Sequence, residues 1–267
     1  MTTTKTQPTQ DEPPAQDKPP AGPRTQPKLT PEQRERARKL HDENGLPWHA
    51  AAMVARGDET LASVLKQLLR QDRINKLVAQ HDLDRGVAGN IVDGKGSLEH
   101  ILLRRRARQV VQETPQHRRL DEVHAAGDHV CLVVDPEEIL TGRVAELERL
   151  ELVFQPDEGE PRRLNKLQMH ALVEPAHLAV LRQRWGRDQE ICGQELAPEP
   201  CPWLRQHVKH ARLQELVESH ARCTLVTRRG RVLEGKIAWY SRFEIGLRLT
   251  KKAEVVLFRH AVHELRT

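Results

Sequence analysis

Two stretches of this chain, 93 residues apart, carry the same strand pattern, and that repetition restricts the possible fold more than any other feature. Val130-Cys131-Leu132-Val133-Val134 falls under Cys223-Thr224-Leu225-Val226-Thr227. Leu140, Gly142 and Val144 fall under Leu233, Gly235 and Ile237. Apolar positions and the glycine recur together, which predicts one supersecondary unit present twice. In the second copy Val232, Glu234 and Lys236 alternate with Leu233, Gly235 and Ile237, a period-two strand. Arg229-Gly230 predicts the turn before it, and Gly142 and Gly235 predict sharp strand bends. Residues 167–172 align with 257–262 around a shared His-Ala pair, provided that three residues are inserted within 157–161.

The two copies differ in charge. Residues 113–200 carry a net charge of −8 and residues 201–267 a net charge of +8. Fields of that size bear on association and on polyanion binding, though both sets also fit solvated faces.

Within the basic copy, Tyr240-Ser241-Arg242-Phe243 and Phe258-Arg259-His260-Ala261 carry a resemblance to a known family. The segment resembles the Sm-like superfamily and, within it, the bacterial Hfq family of RNA chaperones. Phe258-Arg259-His260-Ala261 is similar to the family's Tyr-Lys-His-Ala, and Leu213-Gln214-Glu215-Leu216 lies on the helix that precedes the barrel. The resemblance implies a small barrel that joins its neighbours edge to edge in a ring, and a pore-side pocket for uridine-rich single-stranded RNA. In that pocket Phe243 would stack on a base, Arg259 would hold a phosphate or carbonyl edge, and His260 would contact base or ribose. Arg242 stands where the family has Gln, exchanging a neutral hydrogen-bonder for a cation. Val226, Val232 and Glu234 replace the family's adenine-reading residues, and Val217-Glu218-Ser219-His220 replaces its arginine rim. Arg228, Arg229 and Arg231 are further candidates for phosphate contact. Gly142, Gly230, Gly235 and His170 are expected to be structural. The acidic copy has Leu150 under Phe243 and, in this alignment, Met169 under Arg259, so it reads as a spacer without a working pocket.

The remaining chain adds organisation. Residues 1–29 are rich in Pro, Thr and Gln, which predicts a disordered tail. They contain no apolar secretory core, and no run of the sequence approaches a membrane span, so a cytoplasmic protein is expected. Cys131, Cys192, Cys201 and Cys223 are scattered without a CxxC pair, which predicts reduced thiols and neither metal nor cofactor; Cys201, His207 and His210 make only a weak zinc set.

Residues 30–112 are helical in pattern with a second repeat, 37 residues long, that matches 50–68 to 87–105. In each unit a helix stops at Gly57 or Gly94, and Thr60 or Ser97 caps the next. The cluster Arg104, Arg105, Arg106 and Arg108 could meet phosphates, or it could be a solvated helix end. Punctuation across 179–203 predicts a linker, followed by a helix over 204–220.

The fold expected is α+β: a helical bundle over 30–112, then two five-stranded Sm-like barrels, acidic over 113–178 and basic over 204–267, each preceded by a helix. The function expected is non-catalytic single-stranded RNA binding, as a chaperone or post-transcriptional regulator. Two barrels per chain would let three chains form a pseudo-hexameric ring. A protein-interaction scaffold, or duplex DNA binding through the helical hairpins, are the alternatives. No phosphate loop, GxSxG or HExxH suggests an enzyme.

Overall fold

The computed structural model describes residues 28–134, 138–194, 196 and 208–267. Expectations for residues 1–27, for the proline-rich run 197–202, and for Cys201, Trp203 and His207 lie outside the described residues. The chain divides into two compact units, Met1–Val92 and Asp93–Thr267.

The first unit contains α1 (Pro31–Asn44), α2 (Trp48–Arg56), α3 (Leu61–His81) and α4 (Arg85–Val92). Thr30 and Gln33 form a reciprocal capping box at the start of α1, with Pro31 fitted to the first helical position. Ala37, Leu46, Ala50, Ala51, Val54, Ala55 and Val64 form its core. The many alanines let α1 and α2 approach closely.

The 37-residue repeat is visible in the elements: α2 and α3 correspond to α4 and to α5 (Leu98–Glu113). Thr60 and Ser97 accept from the backbone N–H groups of Ser63 and His100, at 3.2 and 3.4 Å, so the expected caps are present. Helix α5, which the sequence suggested as the end of the bundle, falls in the second unit.

That unit continues with α6 (Arg118–Ala126), β1 (His129–Val134), β2 (Glu138–Leu147), β3 (Glu151–Pro156), β4 (Arg162–Asn165) and β5 (Met169–Val173). Next come α7 (Leu178–Arg184), β6 (Gly186–Arg187) and α8 (Gln189–Gly193), so part of the expected linker is ordered structure. The second copy is α9 (His210–Ser219), β7 (Arg222–Thr227), β8 (Arg231–Tyr240), β9 (Glu244–Arg248), β10 (Glu254–Phe258) and β11 (Val262–Arg266). Helix α5 packs against α9, and Arg106 forms a two-pronged ion pair with Glu218 at 2.8 and 3.1 Å.

The architecture is mixed helix and sheet, as expected, but the strands do not form two separate closed barrels. They make one open, continuous sheet in the order β11-β7-β8-β9-β10-β5-β1-β2-β3-β4, with β6 paired to β8. The join is β10 against β5, with Val255 opposite Val173, Val256 opposite Leu172 and Leu257 opposite Ala171. Side chains on successive residues point to opposite faces, so the join feeds two cores at once. Val256 and Phe258 enter the core of the first copy, while Cys131, Val133, Ala171 and Val173 enter that of the second. Every residue of β5 is therefore buried, and each copy completes the other.

The duplication holds at a constant 93 residues, without the expected insertion. The register irregularity between Val144 and Glu146 has its counterpart between Ile237 and Trp239. The short 3-10 turn Lys166–Gln168 matches the turn Arg259–Ala261, and β5 matches β11. The His-Ala alignment thus slips by three residues: the counterpart of His170 is His263, and that of Arg259 is Lys166 rather than Met169. His170 itself is buried in β5, consistent with a structural role.

A Cβ on Gly142 would lie 2.1 Å from the Gln155 carbonyl oxygen, and one on Gly235 would lie 2.6 Å from that of Arg248. Both glycines are required where the bent strand meets its neighbour. Gly230 adopts φ 71° in the β7–β8 turn, with Cys192 and Asp188 packed against it.

Helices α6 and α9 both end on a left-handed residue, Gly127 (φ 66°) and His220 (φ 51°). A side chain there costs energy, because Cβ approaches the carbonyl oxygen. Exchanging His220 for glycine is expected to stabilise the unit by about 0.5–1 kcal/mol and raise the thermal midpoint by ~1–4 °C. Calorimetry checks this, and an unchanged or lower midpoint would contradict it.

Candidate nucleic-acid interface

The loop between β8 and β9 and the turn Arg259–Ala261 bring together Arg242, Phe243, Arg259 and His260, the four residues expected to form the pocket. The Ser241 hydroxyl donates to the Gln116 carbonyl at 2.8 Å and accepts from the Phe243 and Glu244 N–H groups at 3.3 and 3.1 Å. The Arg259 N–H donates to the Phe243 carbonyl at 2.8 Å, which locks the two segments together. Below them Tyr240 donates its hydroxyl proton to Gln214 at 2.8 Å; burial pushes this phenol up to about 12.

Phe243 is half-buried, and one of its neighbours is a ring that the sequence reading did not include. The His117 imidazole stacks on it, with centroids 4.7 Å apart and planes at 24°. The Arg242 guanidinium lies 5.4 Å from the same ring centroid, with its side chain exposed. Phe258 is fully buried as core, 6.5 Å from His117 and 5.9 Å from His260.

Arg259 stands where expected, but its donors are engaged. It donates to the carbonyl oxygens of Ser241 and Arg242 at 3.2 and 3.3 Å, and to that of Val208 at 2.6 Å. Burial drops its pKa to about 10, because a desolvated cation is disfavoured. His260 donates from Nε2 to the Met169 carbonyl at 2.8 Å, a hydrogen bond between the two copies. Two of the four expected RNA contacts therefore also hold the protein together.

The strongest polar feature of the junction is Glu244, which is fully buried. Its carboxylate accepts from the N–H groups of Arg119 and Leu120 at 2.7 and 3.1 Å, in the first turn of α6. An anion there satisfies orphan helix donors and complements the dipole. The His117 Nδ1 lies 3.8 Å from the same carboxylate, and that nitrogen is buried without a hydrogen-bond partner. Lys166 is buried too; desolvation pulls its pKa down, against the opposing pull of Asp121 and Glu244. The acidic copy has therefore kept a cation in its turn but lost the stacking ring, replaced by Leu150, which is 68 % exposed, and the histidine, replaced by Leu167.

The remaining candidates lie elsewhere. Arg104, Arg105 and Arg108 are exposed on α5, while Arg106 is taken by Glu218. Arg228, Arg229 and Arg231 are only half-exposed around the β7–β8 turn, and the Arg231 guanidinium sits 5.4 Å from the Trp185 ring centroid.

His117, Glu244 and Lys166 were missed by the sequence reading. For two of them the constant spacing of 93 residues offered a signal, though not for their contacts, because it sets His117 under His210 and Lys166 under Arg259. The chain matches no family model, no curated protein and no solved structure. Among the described residues no helix is long and apolar enough to cross a membrane.

Proposed function

We propose that this chain is an Sm-like, Hfq-like protein that binds single-stranded RNA, uridine-rich strands foremost, and acts without catalysis as a cytoplasmic RNA chaperone or post-transcriptional regulator. The observation that carries the reading is the Phe243–His117 ring pair with exposed Arg242 beside it, set in a copy of the duplicated unit with net charge +8. Aromatic platforms beside cations hold single strands, at about 1–3 kcal/mol per stacked base. His117 occupies the stacking place, so a base enters by displacing it or by extending the stack.

The ring is supported by the free ends of the strand order. The join of β10 and β5 uses one edge of each copy and leaves β4 and β11 at the ends of the strand order. Unpaired edges template further pairing. The same join repeated between chains places Arg162 opposite Arg266, Arg163 opposite Leu265 and Leu164 opposite Glu264. Leu150 and Glu151 then stand where Phe243 and Glu244 stand at the internal join, and three chains supply six copies. A scaffold without RNA function is the second reading, favoured by the structural engagement of Arg259.

Anisotropy titration of a labelled oligouridine separates the two readings. Phe243→Ala is expected to weaken binding about tenfold, and His117→Ala to strengthen it severalfold by freeing the ring. Affinity unmoved by both changes would favour the scaffold. Sedimentation of the same samples is expected to give the mass of three chains; a stable monomer at micromolar concentration would exclude the ring.

A further inference from the structure

Trp48 is the first residue of α2 and is 47 % exposed, although tryptophan is usually well covered. It lines one cleft with Lys28, Arg34, Glu35 and Arg38. Arg34 and Arg38 are four residues apart on α1 and so share one face. The indole is held in place: His41 packs edge-on against it, with centroids 6.2 Å apart and planes at 84°. The His41 Nδ1–H in turn donates to the Leu46 carbonyl, and Pro47 fixes the approach to the helix. The cleft is thus a fixed aromatic surface with three cations and one carboxylate around it.

From this arrangement we propose a second binding site for single-stranded nucleic acid, in which a base stacks on Trp48 while Arg34, Arg38 and Lys28 hold phosphates. Charge decides the class of ligand, because three cations against Glu35 select a polyanion. The ring decides within that class, because an acidic peptide gains little from an indole, whereas every base has a face to stack. The site is separate from the Phe243 pocket, which belongs to the other unit, and does not depend on that pocket's assignment.

The experiment titrates labelled oligouridine into the full-length protein and into Trp48→Ala, Trp48→Phe and Arg34→Gln/Arg38→Gln. Trp48→Ala is expected to lower affinity by about fivefold to a hundredfold, the worth of one stacked base, with Trp48→Phe largely restoring it. The double arginine variant is expected to reduce the slope of log affinity against log salt by ~1.4, about 0.7 for each phosphate released. Trp48→Phe and the arginine variant keep the test decisive if Trp48→Ala unfolds. Unchanged affinity and slope in folded variants would overturn the site. So would competition by polyglutamate as strong as that by unlabelled oligouridine, since charge alone would then be read. Complete loss of binding in Phe243→Ala would also overturn it, by placing every contact in the other pocket.

Discussion

Replacing Glu244 with alanine is expected to destabilise the sheet unit by about 3–5 kcal/mol. The carboxylate is fully buried and serves three groups at once. Two are the N–H groups of Arg119 and Leu120, which have no water to turn to once their acceptor is gone. The third is the buried Lys166 ammonium, which loses a counter-charge. Removing one partner from a buried charged set leaves the other uncompensated, and that penalty exceeds the worth of the pair itself. Glu244→Gln keeps one acceptor oxygen for the helix but sets an amide NH2 donor against the second N–H, so a loss of ~1–3 kcal/mol, smaller than that of alanine, is expected. Urea unfolding with a shared slope reads both variants. A loss below about 1 kcal/mol for the alanine variant would mean that solvent reaches the first turn of α6.

Gly142→Ala is expected to cost about 3 kcal/mol or more, close to the limit that the unit can bear. The added Cβ would meet the Gln155 carbonyl oxygen at 2.1 Å and the Pro156 Cα at 2.7 Å, both backbone atoms of the paired strand. Only movement of β3 away from β2 could relieve the contact, at the expense of ladder hydrogen bonds. At Gly235 the carbonyl oxygen lies at 2.6 Å and the other close atoms belong to the Leu247 side chain, which can turn aside. The order of damage expected is therefore Gly142 above Gly235. Gly193, where a Cβ meets nothing within 4 Å, serves as the near-neutral control. Thermal or urea midpoints of the three variants test the ranking; Gly142→Ala as mild as Gly193→Ala would rule out the close approach.

Much of the local structure was legible in the residues. Thr60 and Ser97 cap the helices that their positions suggested, and Gly142 and Gly235 mark the strand bends. The site was legible only in part. Arg242, Phe243, Arg259 and His260 do converge, because each lies in a loop whose position follows from the strands beside it. That His117 would stack on Phe243, and Glu244 would cap α6, could not be read, because each contact joins residues more than a hundred positions apart. No periodicity reaches across such a distance.

The sequence by itself determined that a strand unit occurs twice, that helices precede both copies, and where turns and caps fall. These follow from short-range rules of periodicity, glycine and side-chain capping. The tertiary structure alone decided that β10 pairs with β5 and that the two copies share their cores. The reason lies in β5. A strand buried on both faces has no alternation of apolar and polar residues, so its pattern cannot distinguish one register from another. The alignment slipped by three residues there, and the matching turns Lys166–Gln168 and Arg259–Ala261 showed Lys166, rather than Met169, to be the counterpart of Arg259.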